Sequence, residues 1–266
     1  MNKPIPKKIH FCWFGGDLPQ KHAIQIAQWK KIMPDFEFKL WTENEIPENE
    51  YLKTAKSIGN WANMSNFTRI YALSTEGGIY MDTDFHVAKD FKPLLSSNMF
   101  LGFETGADNE VISINNAIMG AMKSHPIINE MLEDFLVTFD GTEIANLSSP
   151  VFTTKFFRRK GLTEYKHQTL EGVEIYPINY FYPYPLSVSY SDDFRTYITS
   201  ETYAVHLWEK SWKDEFSYFW IGQFNTGVKK IILSLLKKPI KPVSYYRDFL
   251  WHLRMRLFNK NYYKNK

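Results

Sequence analysis

The chain has 266 residues, 44% of them hydrophobic and 17% aromatic, and a formal net charge of +3. That size fits one large core or a core with an appendage. A single cysteine, Cys12, excludes an intrachain disulfide and points to a reducing, cytoplasmic setting; its apolar surroundings favour a buried small hydrophobe over a nucleophile. The opening Met1-Asn2-Lys3-Pro4 leads into no apolar stretch suited to a secretory signal, and no run reaches the roughly 18 apolar residues of a membrane span.

Lys8 to Phe14 reads as a buried strand, ended by the turn residues Gly15-Gly16-Asp17. Pro19 to Met33 has helical periodicity, and Phe36 to Trp41 alternates as a second strand. This strand–helix–strand opening favours an α/β fold with a partly parallel sheet. A helix over Trp61–Thr75 ends at Gly77-Gly78, and a short strand, Ile79-Tyr80-Met81, runs into Asp82-Thr83-Asp84. Further strands are expected over Met99–Phe103, Ala117–Ala121, Val173–Tyr176 and Tyr203–Trp208, with a helix from Pro126 to Phe139. The Tyr- and Pro-rich segment 176–190 reads as an irregular surface loop.

From Lys229 to Lys266 there are eleven Lys or Arg and one acid, Asp248, so this tail carries a net +10 and the preceding residues a net −7. Apolar residues at helical spacing in Gly227–Leu236 and Arg247–Phe258 interleave with those bases. The pattern fits a basic amphipathic segment lying on an anionic membrane surface. The alternative is a helix packed on the body with a solvated basic face. No nucleic-acid-binding module accompanies the charge, so nucleic acid is not an expected partner. The division expected is a catalytic domain over 1–226 and basic amphipathic helices over 227–266.

Asp82 and Asp84, one residue apart at a strand end, can turn both carboxylates towards one hard divalent cation such as Mg²⁺ or Mn²⁺. A departing diphosphate calls for such neutralisation. Alone, an Asp-x-Asp is more often a solvated acidic turn. Its surroundings add weight. Asn66 and Arg69 share one face of the preceding helix, and Arg69 can donate several hydrogen bonds to a sugar or phosphate, or pair with an aspartate. The glycines at 77 and 78 would let the backbone approach a ligand. Trp13 could stack on a base or pack in the core; for Trp41, packing is preferred.

Three blocks taken in order, Ile5 to Gly16, Arg69 to Asp84 and His206-Leu207-Trp208-Glu209-Lys210-Ser211-Trp212, resemble the Asp-x-Asp sugar-transferase family. That family includes initiating mannosyltransferases, bacterial capsule and lipopolysaccharide hexosyltransferases, and clostridial glucosylating toxins. The resemblance implies an α/β nucleotide-sugar-binding fold of GT-A type with a mixed central sheet, followed here by the basic helical appendage. It implies that Trp13 stacks on the base, Arg69 holds the donor sugar, and Tyr80 lies along the nucleotide. Asp82 would meet the ribose and a metal-bound water, and Asp84 would ligate the metal. His206 would join the metal or diphosphate, where an imidazole suits Mn²⁺ better than Mg²⁺, or would be a strand-end histidine without that role. Asn66 and Gly78 would border the donor. Asn115 and Asn116 would face sugar or acceptor, and Ser211 and Trp212 would close over the diphosphate. The implied activity is metal-dependent retaining transfer of a hexose, from a UDP-sugar, to a glycan acceptor in bacterial surface polysaccharide synthesis. The acceptor would be an oligosaccharide carried on lipid at the inner face of the plasma membrane. The competing functions are a glucosylating effector acting on protein and a non-catalytic glycan-binding protein. Two positions depart from the family pattern: Asn66 stands in the Ser-Asp-x-x-Arg motif where Asp is usual, and Ser149-Pro150 replaces a frequent Gly-Pro.

Overall fold

A computed structural model describes residues 4–104, 113–145, 147–186, 193–209, 224–237, 239–240 and 243–258. The chain divides into two compact units, residues 1–209 and 210–266.

The first unit is built on β1 (Lys8–Cys12), α1 (Gln20–Ile32), β2 (Glu37–Trp41), α2 (Glu50–Ser57), α3 (Trp61–Glu76), β3 (Gly78–Met81) and β4 (Phe85–Val87). It continues with β5 (Met99–Glu104), β6 (Ser113–Ala121), α4 (Pro126–Thr138), α5 (Phe152–Arg159), β7 (Gln168–Leu170), β8 (Val173–Tyr176), α6 (Ile178–Phe181) and β9 (Ala204–His206). Seven strands form one sheet in the order β2-β1-β3-β6-β5-β8-β7. β1 is parallel to β2 and β3, β6 is antiparallel to β3 and β5, and β8 is parallel to β5. The sheet is therefore mixed, as the α/β expectation required.

Strand alternation splits the core in two. Tyr80, Met99, Leu101 and Phe103 join one cluster with Leu52, Ile70, Ile128 and Phe156. Ile79, Met81 and Phe100 join the other with Ile26, Trp29, Phe91 and Phe181. Apolar side chains on both faces explain why the central strands read as continuous hydrophobic runs.

α3 ends at Gly77, whose φ of 68° suits a left-handed cap. A Cβ there would lie 2.5 Å from the backbone nitrogen of Lys123, and one on Gly78 would lie 2.7 Å from the Lys8 carbonyl. The two glycines thus let helix, strand and neighbouring backbone close together; the space at Gly78 goes to protein and not to a ligand. Gly78 also opens β3, three residues from the strand end that carries the aspartates.

The parallel pairing of β1 with β3 brings their C-terminal ends to one edge, with Trp13 following the first and Asp82 the second. Ligands of open α/β sheets bind outside such strand ends. A separate two-stranded ribbon, β4 with β9, pairs Phe85 with His206 and so returns a residue 122 positions later in the sequence to the Asp84 turn.

The second unit holds α7 (Phe224–Lys237) and α8 (Val243–Phe258), which meet through Ile231 with Val228, Leu235, Tyr245 and Phe249. No helix among the described residues is long and apolar enough to cross a membrane.

Candidate functional site

Asp82 leaves β3 with its backbone N–H donating to the Ala117 carbonyl at 2.9 Å. Its carboxylate is held from three directions. Arg69 Nη2 donates to Oδ1 and Oδ2 at 3.1 and 3.2 Å, and the Tyr80 hydroxyl donates to Oδ1 at 2.8 Å. The Tyr80 proton is therefore spent, so the 3.0 Å contact between Cys12 Sγ and Tyr80 Oη is made by the thiol as donor. Burial pushes the Cys12 thiol up to about 11, with the Asp82 charge acting in the same direction. Cys12 is thus a neutral, buried donor, consistent with its reading as a packed residue.

Asp84 lies one residue past the turn at Thr83. The Leu207 N–H donates to its carbonyl at 2.9 Å, and the Glu209 N–H donates to Oδ2 at 2.9 Å. His206 Nε2 stands 3.2 Å from Oδ1. Ligand atoms of Asp82, Asp84 and His206 all lie within 4.8 Å of one another. The ring of His206 stacks on Phe85 at 4.6 Å and packs at 4.1 Å from Trp208, which fixes its orientation.

The charges reinforce this arrangement. Burial works against ionisation of Asp84, but the His206 charge and hydrogen bond and the Glu209 N–H outweigh it and bring the carboxyl down to about 2. Burial also drives Asp82 upward; the Arg69 guanidinium opposes this, while the neighbouring Asp84 charge adds to it. For His206, burial alone would lower the pKa, yet the carboxylates of Asp84, Asp82 and Glu104 together raise it. Two acids and an imidazole whose ligand atoms lie this close together fit a divalent cation. The donor set is two hard oxygens and one borderline nitrogen, and His206 Nδ1 is buried with no protein partner.

Arg69 is only 4% exposed. Besides Asp82, its Nη1 donates to Asn116 Oδ1 at 2.7 Å and Ser149 Oγ at 3.0 Å. Its guanidinium lies 5.2 Å from the Tyr80 ring centre. Arg69 Nε and Asn116 Nδ2 are buried donors left without a partner in the same cluster.

The expected residues Arg69, Tyr80, Asp82, Asp84, Asn116 and His206 are thus contiguous. Tyr80 is 1% exposed; its ring belongs to the core and its hydroxyl props Asp82. Asn66 is turned towards the chain. Both its amide hydrogens go to the chain itself, to the Ala145 carbonyl at 3.0 Å and Ser148 Oγ at 2.9 Å. Asn115 turns to Glu104, donating to Oε2 at 2.7 Å, and caps the Ala117 N–H. Trp13 is half-buried, its ring 4.8 Å from that of His22. Trp41 is core, donating from Nε1 to His10 Nδ1 at 3.0 Å. Ser211 and Trp212 lie outside the described residues.

Four participants escaped the sequence reading. His22 Nδ1 meets the Thr83 carbonyl at 3.2 Å, and Glu209 joins Lys21 at 2.5 Å while offering its N–H to Asp84. Glu104 is buried and pushed upward by desolvation. Ser149, noted only as a departure, touches both Arg69 and Asn116. Only Glu209 carried a usable signal, its place inside the His206–Trp212 block.

Two family descriptions match the chain. Residues 19–101 match the glycosyltransferase sugar-binding region containing a DXD motif, and residues 120–218 match an alpha 1,4-glycosyltransferase conserved region. Both regions are glycosyltransferase regions, the first of the DXD type. An uncharacterized glycosyltransferase of Acanthamoeba polyphaga mimivirus is 27% identical over 78% of this chain and 84% of its own length. The lactosylceramide 4-alpha-galactosyltransferase of Mus musculus is 30% identical over 55% of this chain, which spans 41% of that enzyme. Among solved structures, the PaToxG glycosyltransferase aligns over 60% of this chain and 71% of its own, at 20% identity and a TM-score of 0.49. The Asp82-Thr83-Asp84 turn is the DXD motif of the matched region.

Proposed function

We propose that this glycosyltransferase moves a hexose from a UDP-sugar to a hydroxyl of a glycan acceptor, with retention of configuration. The observation that carries this reading is the cluster of Arg69, Asp82, Asp84 and His206 at the C-terminal strand edge, with donors left over at Arg69 Nε and Asn116 Nδ2 and a ring nitrogen, His206 Nδ1, without a protein partner. Oxygen-rich ligands, a diphosphate and a sugar, satisfy such donors. Asp82, Asp84 and His206 would hold Mn²⁺ or Mg²⁺, which when bound neutralises the diphosphate as it leaves. Arg69 and Asn116 orient the sugar, Asp82 meets the ribose, and Trp13 offers a face to the base. Both motif carboxylates are engaged by Arg69 and His206, so neither is a free base. Front-face attack fits this: the acceptor oxygen bonds to the anomeric carbon as the bond to the diphosphate breaks, and the departing phosphate oxygen takes the proton.

The acceptor in this proposal is a bacterial surface glycan growing on a lipid carrier, so the enzyme works at the cytoplasmic membrane face. Two observations support the lipid-borne part of this reading. The mouse relative is named for a glycolipid, lactosylceramide. In the second unit, Ile232, Leu233 and Leu236 are exposed on α7 together with Lys229, and Ile240 beyond that helix is exposed as well. The C-terminal segment would attach peripherally through those apolar residues and its basic charge. Incubating the full chain with a panel of nucleotide-sugars and Mn²⁺ and measuring release of free sugar tests the catalytic reading. Hydrolysis of a UDP-hexose supports it, and inertness towards every donor overturns it.

A further inference from the structure

The two departures from the family pattern, Asn66 and Ser149, meet in one hydrogen-bond network. Asn60, Asn63 and Asn66 recur every third residue and line one stripe of α3 and its cap. Each reaches the segment that follows α4. Asn60 Nδ2 donates to the Glu143 carbonyl at 3.2 Å, and Asn63 Nδ2 donates to the same oxygen at 2.8 Å and to Gly141 O at 3.2 Å. Asn66 Nδ2 donates to Ala145 O and Ser148 Oγ, and Ser148 passes its own proton to Asn63 Oδ1 at 3.1 Å. This amide ladder docks the segment on α3. The next residue, Ser149, donates to Asn116 Oδ1 at 2.6 Å and accepts from Arg69 Nη1. Asn116 Oδ1 therefore faces two donors, which fixes its carboxamide: turned over, its NH₂ would meet the Arg69 and Ser149 protons. Nδ2 is thereby held as a donor, fully buried and with no protein partner.

We propose that Asn66 and Ser149 act as one positioning pair that holds Asn116 Nδ2 ready for a hydroxyl oxygen of the donor sugar. The proposal rests on the nucleotide-sugar reading above. An aspartate at 66 has no proton to offer Ala145 O, and it would set a carboxylate against that carbonyl. A glycine at 149 has no hydroxyl to orient Asn116. Asn66, through Ser148, and Ser149, through Asn116, thus stand at the two ends of one run of contacts.

The test uses the full chain with Mn²⁺ and compares the binding of UDP with that of UDP-glucose, UDP-galactose, UDP-N-acetylglucosamine and GDP-mannose by titration calorimetry. Ser149→Ala and Asn66→Asp each weaken the preferred nucleotide-sugar about tenfold while leaving UDP within about twofold, and the double variant is no weaker than the weaker single one. Ser149→Thr, which keeps the hydroxyl, restores binding. Parallel losses for UDP and nucleotide-sugar, or effects that multiply in the double variant, overturn the pairing. Should Asn66→Asp fail to fold, Ser149→Ala against Ser149→Thr decides alone, because equal binding by those two refutes the role of the hydroxyl. A wild-type chain that binds UDP but no nucleotide-sugar overturns the donor reading itself, an outcome distinct from a wild type that discriminates and variants that do not.

Discussion

The pair of Arg69 and Asp82 offers the sharpest test of how this site is held together. Arg69→Met removes the guanidinium but keeps much of its length. Asp82 then loses two hydrogen bonds and its countercharge, and Asn116 and Ser149 each lose one donor. Breaking a buried ion pair from one side costs about 3–5 kcal/mol. The Asp82 side chain is 26% exposed, so water recovers part of that, and the expected loss lies near the lower end, about 3 kcal/mol. Asp82→Asn leaves the buried guanidinium without its carboxylate and should cost about 2–3 kcal/mol, since the amide oxygen still accepts from it. In the double variant neither charge is stranded, so the total should be about 3–4 kcal/mol and well below the sum of the two single losses. Urea unfolding of all four proteins, with an unchanged slope against denaturant, gives these values. Single losses that add to within about 0.5 kcal/mol would refute a direct charge pair at this position.

Excess chelator should stop donor hydrolysis and Mn²⁺ should restore it, and Asp84→Ala should lower turnover by several orders of magnitude; full activity in chelator refutes the metal reading. His10 donates from Nε2 to Gly77 O at 2.7 Å and accepts from Trp41, and burial lowers its pKa to about 4. The folded form thus resists a proton that the unfolded chain takes at its ordinary value. The contribution is present above pH 6.5 and lost as pH falls to about 4, roughly 3 kcal/mol, and unfolding of wild type against His10→Gln across that window measures the difference. Cys12, raised to about 11, should resist iodoacetamide at pH 8 until the chain unfolds; rapid native labelling would contradict its burial. The full chain should sediment with anionic vesicles at low salt, and a chain ending at residue 226 should not, while still hydrolysing donor.

The main sheet was legible in the sequence because its strands are apolar on both faces and bounded by Gly and Pro. The segments Lys8–Phe14, Phe36–Trp41 and Val173–Tyr176 fall on β1, β2 and β8 within two residues. The β6 strand was read from Ala117, but it begins at Ser113, since Asn115 and Asn116 are polar residues buried inside a strand. α2 and α5 were missed for lack of strong punctuation, although α2 carries a side-chain cap at Asn49 that accepts from Leu52 N at 2.8 Å. The segment read as an irregular loop after Tyr176 contains α6, which a local Tyr and Pro count hides.

The site divides along a different line. Arg69 and Asp82 are separated by thirteen residues and joined by a helix–turn–strand unit, so their pairing follows from local structure. His206 is brought to Asp84 only by the β4–β9 pairing, three residues long in each strand and closed across more than a hundred residues. No periodicity encodes that register; family resemblance supplied the residue and geometry supplied the neighbour. Asn66 shows the converse. Helical spacing placed it on the Arg69 side, but spacing could not tell a ligand-facing amide from one spent on a backbone carbonyl and a serine hydroxyl. That distinction depends on which donors remain unsatisfied after the whole chain has folded. By that criterion the buried side-chain nitrogens left without a protein partner among the described residues of the first unit are Arg69 Nε, Asn116 Nδ2 and His206 Nδ1, one on a helix and two on strands. Three rigid elements therefore converge on one edge, each contributing a polar nitrogen that folding itself leaves over, and the contacts that hold those nitrogens in place are made by residues with no exposed chemistry of their own.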